Sequence, residues 1–390
     1  MSGNTFGRLF RLTTYGESHG LGLGGVVEGC PAGMGLIEDD IQAALDARKP
    51  GGRREAAGTP RMELDRVRLL SGVFKGLTTG TPIAFYVENQ NQRAGDYEKL
   101  SDYLRPGHAD LGFHAKYDIR DYRGGGRASG RETLSRVAGG AIATKFLETL
   151  GITVQACTKE LGGIAAEIKD LDLAATRPYF CPDSLTAAKW ESCCQDARRQ
   201  GDSLGGLVYL RINGVPAGLG EPVFDKLEAR LAYALMGVGS VTGMQIGRGF
   251  AAARVKGSEN NDPFLPGDSK EEGFIKARGK LPSGASYGFA SNNAGGVLGG
   301  ISSGAPVVAL VSVKPISSIS KEQNSIDLEG APVTFCIDGR HDVSAIPRIV
   351  PVLKAMAALA VADFVLLQQN AQLEYFNHGV FAPEEESKKE

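Results

Sequence analysis

The chain reads as a mixed helix-and-strand fold built around a repeated strand–helix–strand unit, and three observations carry that reading. VVEGCPAGMGLIEDDIQAALD (26–46) resembles RINGVPAGLGEPVFDKLEARLA (211–232): each joins a short strand through a G-x-P-A-G-x-G turn to a helix. GLTTGTPIAFYVE (76–88) is echoed by GISSGAPVVALVS (300–312), both turns that feed β-branched, strand-like runs. Two matches in the same order point to an internal duplication rather than a chance recurrence of Gly/Pro turns. The elements lie 47 residues apart in the first half and 86 in the second, so an insertion separates the copies. Third, 345–369 (AIPRIVPVLKAMAALAVADFVLLQQ) is apolar nearly all round, which places it in the middle of the fold, with Pro347 and Pro351 in a first turn or a kink.

A second helix is expected over 131–150, where Leu134, Val137, Ala138, Ala141, Ile142 and Leu147 recur on one face. The Gly- and Pro-rich stretch 256–290 reads as a long loop, and the polar end 376–390 as a solvated tail. No linker splits the chain, so 1–375 is expected to form one domain, with pseudo-repeats at about 1–150 and 205–370.

Composition limits the function. Of 390 residues, 42% are hydrophobic, enough for a real core, and the net charge of −2 gives no general attraction to nucleic acid or an anionic membrane. Local basic clusters must therefore hold any anionic partner. Glycine, at 53 residues, is far above the usual share of about 7%, which calls for positive-φ turns or backbone held close to a ligand. The six cysteines show no CxxC or metal-finger spacing and read as inert thiols of a reduced, cytoplasmic chain. The N-terminus shows no signal or transit character, and no uninterrupted apolar run approaches 18 residues, so no membrane span is expected.

Several motifs can carry chemistry. GESHG (16–20) fits the G-x-S-x-G elbow of serine hydrolases, and Gly20, Gly22 and Gly25 fit G-x-G-x-x-G. Both need a helix immediately afterwards, whereas LGLGGVVEG is glycine-broken and then strand-like. His19 and His108 each sit between turn residues beside charged groups, suited to proton transfer near neutral pH. No histidine spacing supports a metal. DIRDYRGGGRASGRET (118–133) is the densest basic segment. Arg120, Arg123, Arg127 and Arg131 surround a Gly triplet, and backbone leading into a helix start can offer free N–H groups to an anion. Arginines 48, 53, 54, 340 and 348 repeat the theme. KPISSIS (314–320) can hold phosphate through lysine and serine. Asp342 can be a base or a helix cap, and its sequence context favours the cap.

Together GNTFGRLFRLTTYGESHG, RPGHAD, DYRGGGRASGRET, GVPAGLGEPVFDKL, SNNAGGVLGGISSG, KPISSI and GRHD resemble, in order, the blocks of the chorismate synthase family, over about residues 1–370. The resemblance implies an α+β fold: a β-α-β sandwich with pseudo-two-fold internal duplication and a helical layer between antiparallel sheets. It implies a homotetrameric lyase that converts an anionic small molecule, 5-enolpyruvylshikimate 3-phosphate, to chorismate by 1,4-anti elimination. Reduced FMN is required without net redox change. By position His19 would protonate the departing phosphate, His108 the flavin, and Asp342 would take a proton from the flavin ring, with Ser18 and Ser129 hydrogen-bonding around them. Flavin contacts would fall on Arg127, Ala128, Ser129, Gly239, Ser240, Gly299, Lys314, Pro315, Ile316, Ser317, Ser318 and Arg340. Ala128 and Ile316 stand where serine and threonine are usual, which leaves backbone contacts there. Arg48 and Arg54 match NADPH positions and suit substrate carboxylate or phosphate equally. Two alternatives stay open: a bifunctional form that reduces its own flavin with NADPH, and a catalytically silent flavin- or phosphate-binding module.

Overall fold

The computed structural model describes residues 3–49, 56–58, 65–89, 102–122, 125–337, 341–369 and 371–372. The first half runs through β1 (Thr5–Phe6), β2 (Arg11–Gly16), β3 (Gly22–Glu28), α1 (Glu38–Arg48), β4 (Val67–Leu69), the hairpin β5–β6 (Val73–Phe74 and Leu77–Thr78), β7 (Ile83–Glu88), α2 (Asp110–Tyr117) and α3 (Thr133–Thr149). The second half has β8 (Thr153–Leu161), β9 (Ile164–Ala165), α4 (Leu171–Ala174), α5 (Ser184–Arg199), β10 (Gly206–Asn213), α6 (Leu227–Met236), β11 (Val241–Ile246) and α7 (Gly257–Asn260). It continues with β12 (Phe264–Pro266), β13 (Ile275–Lys276), β14 (Tyr287–Phe289), the hairpin β15–β16 (Val297–Leu298 and Ile301–Ser302), β17 (Val307–Val313), β18–β19 (Gln323–Ile326 and Pro332–Phe335) and α8 (Ile346–Gln368).

The duplication is visible in the strand order. One five-stranded antiparallel sheet runs β1-β2-β3-β7-β4, and the other β9-β8-β10-β17-β11. The echoed segments occupy matching places: β3 and β10 lead through Gly/Pro turns to α1 and α6, while the hairpins β5–β6 and β15–β16 feed β7 and β17. Gly76 and Gly300 both turn their hairpins at positive φ, which glycine adopts without cost.

Helices fill the space between the sheets: α3 packs on β2 and β3, α8 on β8 and β10, and α3 and α8 on each other. A Cβ on Gly140 would lie 2.3 Å from the Ala355 Cβ and 2.6 Å from its Cα, so only glycine permits this approach. α8 is buried along most of its surface, Lys354 being its exposed residue, and alone among the described helices it is long and apolar enough to cross a membrane; here β8 and β10 of the second sheet and helices α1, α3 and α6 cover it. Pro347 sits in its first turn and Pro351 inside it. Asp363, 3% exposed, is the acidic break in this surface. Its Oδ1 accepts the N–H groups of Arg8, Leu9 and Phe10 at 3.0, 2.7 and 3.0 Å, so the last helix holds the first turn of chain against the core.

One expectation changes and one holds. The 256–290 stretch is not a plain loop: β12, β13 and β14 form a three-stranded sheet in which Tyr287 and Phe289 pack with Ala277 and Ala305. The short, Gly-interrupted runs hid its alternation. GESHG leads directly into strand β3, so neither the elbow nor the dinucleotide fingerprint has its helix. All six cysteines are free; burial pushes Cys30 up to about 11 and Cys157 up to about 12, as suits inert thiols at those two positions, whereas Cys336 is exposed.

Gly140→Ala tests the helix contact. Alanine favours a helix by about 1 kcal/mol over glycine, so any net loss reports the clash. We expect a net destabilisation of about 1–3 kcal/mol in urea unfolding.

Candidate active site

A cleft of about 1370 Å³ collects loops from both halves. Among the described residues, nine Arg or Lys and seven Asp or Glu side chains line it, a local positive excess in a chain of net charge −2. Most of these charges meet one another. Asp110, the first residue of α2, accepts from Arg105 Nε at 2.8 Å and Nη2 at 2.7 Å, and lies 3.3 Å from Arg120. Burial pushes its carboxyl up, and the Arg105 side chain and backbone N–H then pull it below the usual range. The Arg105–Asp110–Arg120 group thus carries a net positive charge at one wall.

His108 stands beside that group. Its Nδ1 lies 3.0 Å from the Pro106 carbonyl, which can only accept, so Nδ1 carries the proton. Nε2 then accepts from the Ser318 hydroxyl at 2.8 Å. Burial, reinforced by the Arg105 and Lys314 charges, holds the imidazole below its ordinary value and leaves it neutral at pH 7. Lys314 Nζ and Ser317 Oγ both donate to the Gly107 carbonyl, at 3.1 and 3.0 Å, so the KPISSI loop is fastened to the loop bearing His108.

Ser18 and His19 lie in the turn between β2 and β3. Asn89 holds that turn: its Nδ2 reaches the Glu17, Ser18 and Gly20 carbonyls at 3.0, 3.3 and 2.9 Å. Its Oδ1 accepts from Arg131 Nε at 2.8 Å, and Arg131 Nη2 in turn pairs with buried Asp65 at 2.8 Å. The Ser18 hydroxyl is buried at the cleft with no hydrogen-bond partner among the described residues. A buried orphan hydroxyl beside cationic walls suits a polar, anionic ligand.

The glycine-rich loop behaves differently from expectation. The amides of Ala128, Ser129 and Glu132 donate to carbonyls within the loop, and Arg131 N–H donates to Ser129 Oγ at 3.3 Å. Tight 3₁₀ turns therefore consume donors that were expected to face an anion. Arg127 donates to Gly16 O at 2.9 Å, Asn4 Oδ1 at 3.0 Å and Thr14 Oγ1 at 2.6 Å, which pins the loop to β2. Residues 125–132 form one wall of the cleft.

Asp342 lines the cleft and pairs with Arg348 at 2.9 Å. It is not a helix cap: α8 begins at Ile346 with Ala345 in the capping position, and the nearby hydroxyl that accepts from Ile346 N–H is Ser344. Ser18, His19, His108, Arg127, Ala128, Ser129, Gly239, Ser240, Lys314, Ile316, Ser317, Ser318 and Asp342 all border this one space. Ser240 does so at φ 71, a strained setting for a non-glycine residue. Pro315 lies between two lining residues. Gly299 sits in the β15–β16 turn, and Arg48 is 1% exposed at the end of α1; neither borders the cleft. Arg54 and Arg340 lie outside the described residues.

Asn89, Asp65, Arg105, His341 and the pair Arg66 and Arg68 also border the cleft. Sequence reading passed over them. Arg66 and Arg68 carry a usable signal, two like charges at strand spacing. Asn89 and Asp65 act across long sequence separations that leave no local trace.

The family model described as chorismate synthase matches residues 10–366. The chain belongs to the chorismate synthase family. It is 58% identical over 369 residues to chorismate synthase of Nitratidesulfovibrio vulgaris, covering 95% of this chain and 98% of that one. It is 56% identical over 376 residues to that of Desulfovibrio desulfuricans, covering 96% and 100%. A solved chorismate synthase crystal structure superposes with a TM-score of 0.72 at 29% identity, over 93% of this chain and 94% of the other. The chain is accordingly a lyase of that family, with the family's α+β sandwich.

His108 should titrate below 6.5 in an imidazole NMR titration, and Lys314→Met should raise its pKa by removing one of the charges that depress it. Because the folded value lies below the unfolded one, its stability contribution is full above about pH 6.5 and falls as pH drops from there through the folded value.

Proposed function

We infer that the chain catalyses the 1,4-anti elimination of phosphate from 5-enolpyruvylshikimate 3-phosphate to give chorismate, with reduced FMN required and no net redox change. The observation that carries this reading is that His19, His108 and Asp342, from three distant parts of the sequence, border one cationic cleft. The cleft's volume, its positive excess and the unpartnered Ser18 hydroxyl fit a flavin phosphate beside a phosphate ester. Arg127 to Ser129, Gly239, Ser240 and Lys314 to Ser318 would hold the flavin. Reduced flavin held there would supply the electron density that an elimination from an unactivated C–H position needs.

The chain's own groups do the rest. His19 delivers a proton to the leaving phosphate oxygen. His108 keeps one proton at Nδ1 against the Pro106 carbonyl, and its Nε2 gains the second only when anionic charge enters beside Arg105 and Lys314. The acid is thereby armed by ligand binding. Asp342, oriented by Arg348, is the proton acceptor. The Arg105–Asp110–Arg120 group and the KPISSI loop balance phosphate and carboxylate charge without a large reorganisation.

Flavin is reduced outside the chain in this reading. Arg48, one of the two positions matched to NADPH, is buried away from the cleft. Exposed Phe224, Phe250 and Phe264 would supply apolar surface for a homotetramer, and six free cysteines, four of them buried, suit a cytoplasmic setting.

Anaerobic addition of substrate and dithionite-reduced FMN should generate chorismate absorbance and free phosphate, and no product without the flavin. His108→Ala and Asp342→Ala should each slow turnover at least ~10²-fold; near-wild-type rates in both would refute the roles. Aerobic oxidation of NADPH with catalytic FMN would mark a bifunctional form instead.

A further inference from the structure

Asp342 reaches the cleft from a peptide outside regular secondary structure, four residues before α8 begins. Contacts remote from the cleft fix that peptide on two sides. Val343 N–H donates to the Ala57 carbonyl at 2.7 Å, and Ser344 N–H joins it at 3.3 Å. The Val343 carbonyl accepts from Leu204 N–H at 2.8 Å, just beyond the end of α5.

Residues 56–58 are in turn gripped by α5. Arg198 Nη2 donates to the Ala56 carbonyl at 2.5 Å and to the Gly58 carbonyl at 2.6 Å. Glu191 accepts from Ala56 N–H at 3.1 Å and from the buried Tyr179 hydroxyl. A single cationic nitrogen that binds carbonyls on either side of Ala57 sets the direction of the Ala57 carbonyl between them, and that carbonyl is what Val343 engages. Ala57 is completely buried, yet Arg198 is exposed and borders no part of the cleft.

We propose that Arg198 is a positioning residue for the elimination, acting through Ala56–Gly58 and Val343 to fix the Asp342 carboxylate. The proposal rests on the reading of Asp342 as the proton acceptor. Its physical basis is that proton transfer tolerates little displacement, since a shift of about 1 Å can cost ~10²-fold in rate. An exposed arginine can thereby influence turnover strongly while contributing little to global stability.

The test uses the full chain with reduced FMN and 5-enolpyruvylshikimate 3-phosphate under anaerobic conditions. Arg198→Ala should lower kcat by about tenfold with KM within about twofold, a loss of orientation rather than of binding. Its urea midpoint should stay close to that of the parent. Arg198→Lys keeps a cation able to donate to both carbonyls and should recover most of the loss. Arg199→Ala, whose partner is Asp196, should leave turnover unchanged. Combined with Asp342→Asn, Arg198→Ala should add no further loss, because both act on one group. Additive losses in the double variant, or parental turnover in Arg198→Ala while Asp342→Asn is slow, would overturn the proposal. Parental turnover in Asp342→Asn would remove the reading of Asp342 and the proposal with it.

Discussion

The close contact between α3 and α8 is the constraint on which the rest of the structure depends. Two helices that must each face a sheet and also each other can share one layer only if their backbones approach closely. Gly140 against Ala355 allows this, and Gly139 beside it leaves room for Leu12 of β2. Filling that space would force the layer apart, and the sheets with it. The loops that form the cleft leave from the ends of these same elements. Gly130–Glu132 leads into α3 and 341–345 into α8, so the helix spacing also sets the distance between the glycine-rich wall and Asp342.

Within that frame the cleft solves an electrostatic problem. Many arginines gathered in one place would repel, yet an anion is bound best by charges already in position. The ion pairs resolve the conflict by fixing most arginines against carboxylates and backbone carbonyls. Asp65, Asp110, Glu132 and Asp342 each take at least one guanidinium. A small positive excess remains, and His108 responds to it. Its proton affinity is lowered first by burial and then by the Arg105 and Lys314 charges, which a bound anion would neutralise.

The sequence revealed what repeats locally or carries a strong pattern. The G-x-P-A-G-x-G echoes correspond to equivalent strand–helix turns, and the apolar 345–369 stretch to the central helix. The histidines and the glycine-rich basic segment do border the cleft. Features set by tertiary partners were not legible. Local charge could not show that Asp342 would pair with Arg348 rather than cap a helix. Nor could glycine content show that the 125–132 amides would close upon themselves. Asn89, which holds the turn bearing Ser18 and His19, gave no signal because its partners lie about 70 residues away.

The carboxylate of Asp363 has a bearing on the order in which the molecule can be made. It gathers the amides of residues 8 to 10 from more than 350 positions further along the chain. As the polypeptide leaves the ribosome, the first sheet can already take α3 onto β2 and β3, but the acid that receives those amides follows only with α8. This contact cannot form until more than 350 further residues have been made, so it is a non-local closure of the kind that slows folding.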